Sequence, residues 1–202
     1  QKQIDTYHQC VKIFKDNGFA EIKTHISATS GILVYEKGNN LHNIVRLGIG
    51  LYGLWPSEHL AYLNKKEITL KPVLRWLTHI AQVKILPANH PIGYGLTYIT
   101  TKRTKIAIIP QGYADGLNRL LSNNGQVLIK GKKAKILGRV AMNMIVVDIS
   151  NIKDVQVNEE VIIIGEQAKN KITVEEIAQK MGSINYEVTT KISPLLARVV
   201  GS

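Results

Sequence analysis

The chain has a single cysteine, Cys10, among its 202 residues. No internal disulfide can form, and such cysteine usage is typical of reducing compartments. No apolar run approaches the roughly 20 residues that a membrane-spanning helix needs, so we expect a cytoplasmic protein with no membrane partner. The N-terminus shows neither a signal peptide nor an initiator methionine, which predicts a natural polypeptide that is longer or has been processed.

Patterns for metal binding and for serine hydrolases are also missing. The six histidines are scattered along the chain without ligand spacing, and the lone cysteine adds no ligand pair. No Gly-x-Ser-x-Gly turn is present. We therefore expect no metal site and no nucleophilic serine of that type.

Aromatic residues, at 6% of the chain, are scarce for a protein that stacks on nucleic-acid bases. The formal charge is +11, from 26 Lys and Arg against 15 Asp and Glu. A basic β-barrel module for nucleic acid therefore stays an alternative. The basic residues extend from Lys2 to Arg198, however, and their longest cluster is only residues 130–133. A site for a small anionic ligand explains the charge as well, and we expect no nucleic-acid partner.

The first part of the chain has the order of an α/β array. Residues 4–17 predict a helix, because their apolar residues fall on one face and Asn17-Gly18 would end it. A strand over 20–26, a loop over 27–31 and a second strand over 43–47 follow. This order predicts the last α/β units of a larger barrel, which we assign to residues 1–58.

The second part reads as mostly β and barrel-like, and we assign it to residues 59–202. β-Branched runs at 81–85, 106–109, 127–129, 145–147 and 161–164 are separated by turn residues. One helix interrupts them, with Thr173 and Glu176 as a capping box and Gly182 as its end.

Residues 48–53 match Gly-x-Gly-x-x-Gly, the dinucleotide fingerprint, but Trp55-Pro56 follows where a long helix should begin. A narrower function survives, because free backbone N–H groups after a strand form a cradle for one phosphate. The Thr29 hydroxyl is a candidate second arm of that cradle. Arg46, two residues before it, is either a surface charge or a fixed positive charge facing a ligand.

Tyr94 lies between Gly93 and Gly95, and paired glycines permit unusual backbone angles that push a phenol out toward a ligand. A tyrosine can also transfer a proton if its environment suits. Alone, such a residue is more often a packing residue. Further phenols, amides and arginines recur at the ends of strands, at Tyr113, Arg139 with Met142, and Tyr186.

These motifs, in this order, resemble the C-terminal half of the pyridoxal-phosphate-dependent alanine racemase family. The matching stretches are 25–29, 45–53, 93–98, 112–116, 138–142 and 184–187. The resemblance implies the last strands of a (β/α)₈ barrel followed by a β-rich C-terminal domain. It also implies a bacterial isomerase that supplies D-alanine for peptidoglycan.

The resemblance implies a role for each site residue. Tyr94 looks like the catalytic tyrosine that moves the α-proton on one face of the substrate, and Arg46 like the arginine facing the pyridine nitrogen. The remaining residues look like phosphate ligands (Thr29, Gly48, Ile49 and Tyr186), groups near the substrate carboxylate and entry channel (Met142 and Tyr113), and a channel residue (Arg139).

Three positions depart from the family pattern: Thr29 replaces a serine, Asn143 an aspartate and Ala141 a cysteine. The larger departure is that the lysine forming the Schiff base with the cofactor, and acting as the second base, has no counterpart here. We therefore expect a C-terminal fragment that is inactive alone. The family forms homodimers with shared active sites. A serine racemase of the same fold and a non-catalytic remnant that only dimerises stay open.

Overall fold

The computed structural model describes residues 1–35 and 43–201. Their contacts divide the chain into two compact units, Gln1–Val73 and Leu74–Ser202. This division falls later than the boundary expected after residue 58, so the assignment of residues 59–73 to the second domain stays a prediction. No helix in the described ranges is long and apolar enough to span a bilayer.

The first unit is helical with a small core. Its helices are α1 (Lys2–Asp16), α2 (Thr29–Tyr35) and α3 (Glu58–Asn64), with a 3₁₀ turn at Ile49–Tyr52. Helix α1 matches the predicted helix closely, yet it buries none of its residues. Ile13 and Phe14 are 61% and 52% exposed. A helix whose apolar side chains stay in water gains little from burial, so this unit leaves an apolar surface uncovered.

The strands predicted at 20–26 and 43–47 do not form as such. A parallel bridge forms instead between Ala28, just after the first segment, and Arg46 in the second. Two backbone hydrogen bonds support it, from Ile44 to Thr24 at 3.1 Å and from Arg46 to Ser27 at 3.0 Å. Repeated pairs with neighbours on both sides define a barrel strand, and in residues 1–35 and 43–73 the pairing here is limited to this bridge. The predicted loop over 27–31 instead begins α2.

The second unit is mostly β, as predicted, with open sheets in the part of the chain that the structure describes. The strands are β1 (Trp76–His79), β2 (Gln82–Leu86), β3 (Pro91–Ile92), β4 (Tyr98–Ile99), β5 (Thr104–Ile109), β6 (Gln126–Ile129), β7 (Lys132–Lys135), β8 (Ile145–Asp148), β9 (Glu160–Gln167) and β10 (Asn170–Ile172). One sheet has the order β1-β9-β6-β7 with β10 beside β9, another is β2-β5-β8, and the third is β3-β4, all antiparallel.

The core of this unit lies on β6 and β9. Residues 127–129 and 161–164 are all at most 2% exposed, so both faces of these central strands are covered. This explains why they read as continuous apolar runs instead of alternating ones. The turn between β6 and β7 consists of Lys130 and Gly131, with φ of 49° and 72°. Positive φ at both positions is what a tight hairpin turn between twisted strands requires.

Two helices close the unit, α4 (Val174–Met181) and α5 (Asn185–Lys191). The Thr173 hydroxyl accepts a hydrogen bond from the Glu176 backbone N–H at 3.1 Å, and Gly182 ends α4 with φ of 63°. The capping box is half formed, because both Glu176 carboxylate oxygens lie 3.0 Å from Lys133 Nζ. Tertiary contact thus redirects the second arm of the predicted cap.

Candidate functional site

The turn at residues 93–97, which we call the Tyr94 turn, lies against the backbone of Arg139. Gly93 has φ 73° and ψ −178°, a region that only glycine occupies without strain. A Cβ there would lie 3.3 Å from the Arg139 backbone nitrogen, and one at Gly95 would lie 3.3 Å from Arg139 Nε. Tyr94 itself is 74% exposed. The paired glycines therefore let the turn approach Arg139 closely while the phenol projects outward.

Gly138, the residue before Arg139, lies against Ile92 in β3, the strand that precedes the Tyr94 turn. Its φ is 77°, and a Cβ at this position would lie 2.7 Å from the carbonyl oxygen of Ile92. Ile92 and Gly138 are both buried. Glycine at 138 is thus required both by backbone conformation and by the close approach of β3.

A second turn, at residues 112–116, contacts the residues that follow Arg139, and we call it the Tyr113 turn. The Tyr113 and Ala114 backbone N–H groups donate to the carbonyls of Ala141 and Met142, at 3.0 and 2.9 Å. A Cβ at Gly112 would lie 2.3 Å from both of those oxygens. Tyr113 is 43% exposed and Met142 54% exposed. The structure therefore brings the Tyr94 turn and the Tyr113 turn onto one segment, residues 138–144, which we call the docking segment.

The Tyr113 turn also contacts the C-terminal end of α5. The Asp115 carboxylate accepts from the Gly112 N–H at 2.8 Å, and the Asp115 carbonyl accepts from the Ser193 N–H at 2.9 Å. A Cβ at Gly116 would lie 2.3 Å from the Lys191 carbonyl. Helix α5 carries Tyr186, so the turn and that tyrosine belong to one packed arrangement.

Two titratable groups of α5 are perturbed. Partial burial raises the pKa of the Tyr186 phenol, because it disfavours the charged form. Hydrogen bonds from Lys191 and Ser183, together with the Lys191 charge, hold the pKa of the neighbouring Glu187 below its ordinary value, against a smaller desolvation effect.

In the first unit, the residues predicted to form a phosphate cradle lie together around Thr29. The Thr29 hydroxyl is buried and accepts from the Gly48 N–H at 3.1 Å. A Cβ at Gly50 would lie 2.8 Å from Thr29 Cγ2, so glycine is needed for the loop to pack this closely. Ile49 is 4% exposed and anchors the 3₁₀ turn. Thr29, Gly48 and Ile49 therefore lie side by side, and their role in binding phosphate stays a prediction.

Arg46 is fixed by two acceptors. One terminal nitrogen, Nη2, donates to the Ile26 carbonyl at 3.1 Å, and Nη1 contacts His25 Nδ1. The parallel bridge to Ala28 positions its backbone. Because a guanidinium stays charged and has five N–H donors, these contacts orient its plane and leave donors for a ligand.

The chain matches the family model described as the alanine racemase C-terminal domain over residues 73–200. It is 38% identical to the alanine racemase of Leptospira interrogans over 98% of this chain and 51% of that protein. It is 47% identical to the alanine racemase of Halothermothrix orenii over 86% of this chain and 44% of that protein.

The chain belongs to the alanine racemase family.

Solved structures agree. Bacillus anthracis alanine racemase, solved with bound L-Ala-P, superposes with a TM-score of 0.85 at 33% identity, covering 95% of this chain and 48% of that one. The Clostridium difficile 630 enzyme, solved in complex with cycloserine, gives 0.83 at 36% identity, covering 95% and 49%. The chain thus spans about half the length of the alanine racemases that it matches.

The residues of the first unit fit the phosphate end of pyridoxal phosphate, the cofactor that this family implies. The Thr29 hydroxyl accepts from the Gly48 N–H, so this N–H is already used, while the O–H of Thr29 can still donate to a phosphate beside the glycine-lined loop. A charged donor at Arg46 fits a ring nitrogen that accepts. Among residues 1–35 and 43–201 no group of three or more His, Cys, Asp or Glu could hold a metal ion.

Sequence reasoning missed Asn123. Its side-chain oxygen accepts from the Gly138 N–H at 2.7 Å, and its Nδ2 lies 3.2 Å from Thr97 Oγ1. In the sequence it is one of two asparagines in Ser-Asn-Asn-Gly, which predicts an ordinary turn. Only the fold shows that this asparagine joins the segments that carry Tyr94 and Arg139.

Proposed function

We propose that this chain is the C-terminal half of an alanine racemase that interconverts L- and D-alanine with pyridoxal phosphate and supplies D-alanine for peptidoglycan. The observation that carries the proposal is the exposed Tyr94 phenol, presented by a turn whose two glycines fit against Arg139. Similarity to named alanine racemases over 98% of the chain supports it. We infer an amino-acid substrate from the same relatives.

The cofactor, when bound, accepts the electron pair of the Cα–H bond and so acidifies that hydrogen. In this proposal Tyr94 adds or removes the proton on one face of Cα, as a positioned general acid and base. The proton for the opposite face comes from a lysine that this chain does not supply. An isolated chain is therefore expected to be inactive.

Arg46 has a distinct role in this scheme. Its guanidinium cannot accept a proton and stays charged at neutral pH. Toward the ring nitrogen of a bound cofactor it would act only as a donor, so that nitrogen would stay unprotonated. The two contacts to His25 and to Ile26 hold the guanidinium in one plane.

The other predicted residues have binding roles in this proposal. Thr29, Gly48, Ile49 and Tyr186 would bind the phosphate. Met142 and Tyr113 would serve the substrate carboxylate and the entry channel. Arg139 contributes a positive charge to the channel, where an amino-acid carboxylate would be attracted.

We further propose that the protein works as a homodimer in which Tyr94 and Met142 serve the partner's site. The exposed apolar face of α1, including Ile13 and Phe14, supports association or cover by further chain, since such a surface is costly in water. A strictly monomeric species by light scattering of the purified protein at high concentration counts against the dimer.

The test uses protein purified from its source cells through a C-terminal tag. We expect a mass about twice the 22.5 kDa of this chain, because the chain spans about half of its relatives. We expect conversion of L-alanine to D-alanine, with Tyr94→Phe lowering kcat by about 10²–10⁴-fold, the usual contribution of a general acid or base.

Deuterium exchange distinguishes the two faces. In D₂O, the Tyr94→Phe protein should still exchange the α-hydrogen of one alanine enantiomer and lose exchange of the other. The matched control is Tyr98→Phe, which removes a half-buried phenol in β4 and should retain both exchanges. A wild-type protein that racemises neither alanine nor serine contradicts the proposal, and faster turnover of serine identifies the serine variant.

A further inference from the structure

We propose that Asn123 is a positioning residue that holds the Tyr94 turn against the docking segment. Its hydrogen bonds to Thr97 on one side and to Gly138 on the other are together called the bracket. The inference rests on the proposed function, since it assigns Asn123 a part in proton transfer by Tyr94. Asn123 lies 26 residues from Thr97 in sequence. It nevertheless contacts both the segment that carries Tyr94 and the segment that carries Arg139.

The contact with the docking segment is a pair of hydrogen bonds. The Gly138 N–H donates to Asn123 Oδ1 at 2.7 Å, and the Asn123 N–H donates to the Gly138 carbonyl at 3.1 Å. Next to it, the Ser122 hydroxyl accepts from the Val140 N–H at 3.0 Å. Asn123 therefore uses its side-chain acceptor and its backbone donor on one glycine, and its orientation is fixed.

The contact with the Tyr94 turn uses the other end of the same amide. Asn123 Nδ2 lies 3.2 Å from Thr97 Oγ1 and 3.4 Å from the Thr97 carbonyl. An amide presents an acceptor and a donor in opposite directions, so one side chain joins two segments that each need a different partner. Asn123 has φ of 58°, a conformation that asparagine tolerates better than most residues.

These contacts restrain both ends of the Tyr94 turn. At its start, Gly93 lies against Arg139, and Gly138 lies against Ile92. At its end, Thr97 is held by Asn123. Tyr94 is 74% exposed, so its own side chain gains little orientation from burial. The position of the phenol therefore depends on its backbone, and small displacements of a catalytic group are costly in rate.

The test combines two readouts on the tagged protein purified from its source cells. Asn123→Asp keeps the acceptor for Gly138 and removes the donor to Thr97. Thr97→Val removes the hydroxyl acceptor, and Thr97→Ser keeps it. The matched control is Asn124→Asp, because Asn124 Nδ2 donates to the Lys180 carbonyl at 3.2 Å, away from Thr97.

The rate of hydrogen–deuterium exchange in a peptide covering residues 93–99 shows whether Asn123 restrains the Tyr94 turn, and this measurement does not depend on enzymatic activity. Losing one hydrogen bond should raise exchange there about three- to tenfold in Asn123→Asp. Thr97→Val should show a smaller rise, and Thr97→Ser and Asn124→Asp none. Unchanged exchange in Asn123→Asp, or an equal rise in Asn124→Asp, overturns the bracket.

Kinetics then test positioning. We expect kcat of Asn123→Asp to fall about ten- to a hundredfold while KM changes less than about threefold. The residues that contact the substrate are unchanged in this variant, whereas the position of the Tyr94 phenol is altered. Increased exchange with unchanged kcat overturns the positioning role and leaves the racemase proposal intact. Absence of racemisation in the wild-type protein overturns the proposed function and the positioning role of Asn123 together, while the exchange data still report whether Asn123 holds the two segments together.

Discussion

Gly138→Ala should destabilise the second unit by more than the backbone strain of an alanine at positive φ. At φ 77° an alanine costs about 1–2 kcal/mol. Its Cβ would also lie 2.7 Å from the Ile92 carbonyl oxygen and 3.3 Å from Ile92 Cγ2. Overpacking against buried backbone adds about 1–3 kcal/mol. We expect a total loss of about 2–5 kcal/mol in the free energy of unfolding.

Gly182→Ala is the matched control. Gly182 has φ of 63°, and a Cβ there meets nothing within 4 Å. It therefore isolates the backbone strain, about 1–2 kcal/mol, from the steric clash. Urea unfolding followed by circular dichroism measures both variants. Equal destabilisation by the two alanines refutes the reasoning, because it removes the Ile92 contact as a cause.

Three further predictions follow from single contacts. Ile162→Ala, at a side chain that is 0% exposed in β9, should cost about 2–5 kcal/mol in urea unfolding, and a loss below 1 kcal/mol contradicts the assigned core. Thr173→Ala removes the acceptor for the Glu176 N–H and should cost about 1 kcal/mol, whereas Thr173→Ser should be close to neutral. Lys191→Met should raise the pKa of Glu187 toward its ordinary value, measured by NMR titration. The folded-state pKa of Glu187 lies below the unfolded-state one, so its contribution to stability is present above the unfolded-state pKa and is lost as pH falls through the folded-state pKa. A Glu187 titration that is unchanged in Lys191→Met would show that Lys191 does not lower this pKa.

The strands of the second unit were predictable because their signals are local. The runs at 106–109, 127–129, 145–147 and 161–164 each lie within an observed strand. Dense β-branched residues between turn residues are sufficient for such a prediction. The segments at 20–26 and 43–47 carry a similar signal and do not form strands, because a strand also needs paired neighbours that the pattern does not supply.

The candidate site divides in the same way. The glycines around Tyr94 mark it in the sequence, and Thr29 with Gly48 can be proposed as a cradle from the motif. The Glu176 carboxylate, predicted to return to its own helix cap, instead pairs with Lys133. A side chain with two possible partners chooses according to which strand lies beside it, and that choice is made by tertiary packing.

The sequence by itself determined the mostly β second unit, the capped helix α4, and the glycine-flanked tyrosine, because propensity, turn chemistry and short motifs act over a few residues. Only the tertiary structure decided that the Tyr94 and Tyr113 turns share one docking segment. It also decided that Asn123 reaches Thr97, and that Gly138 faces Ile92. These contacts join residues far apart in the chain, and which distant segments meet is set by strand order and register, which no local pattern contains.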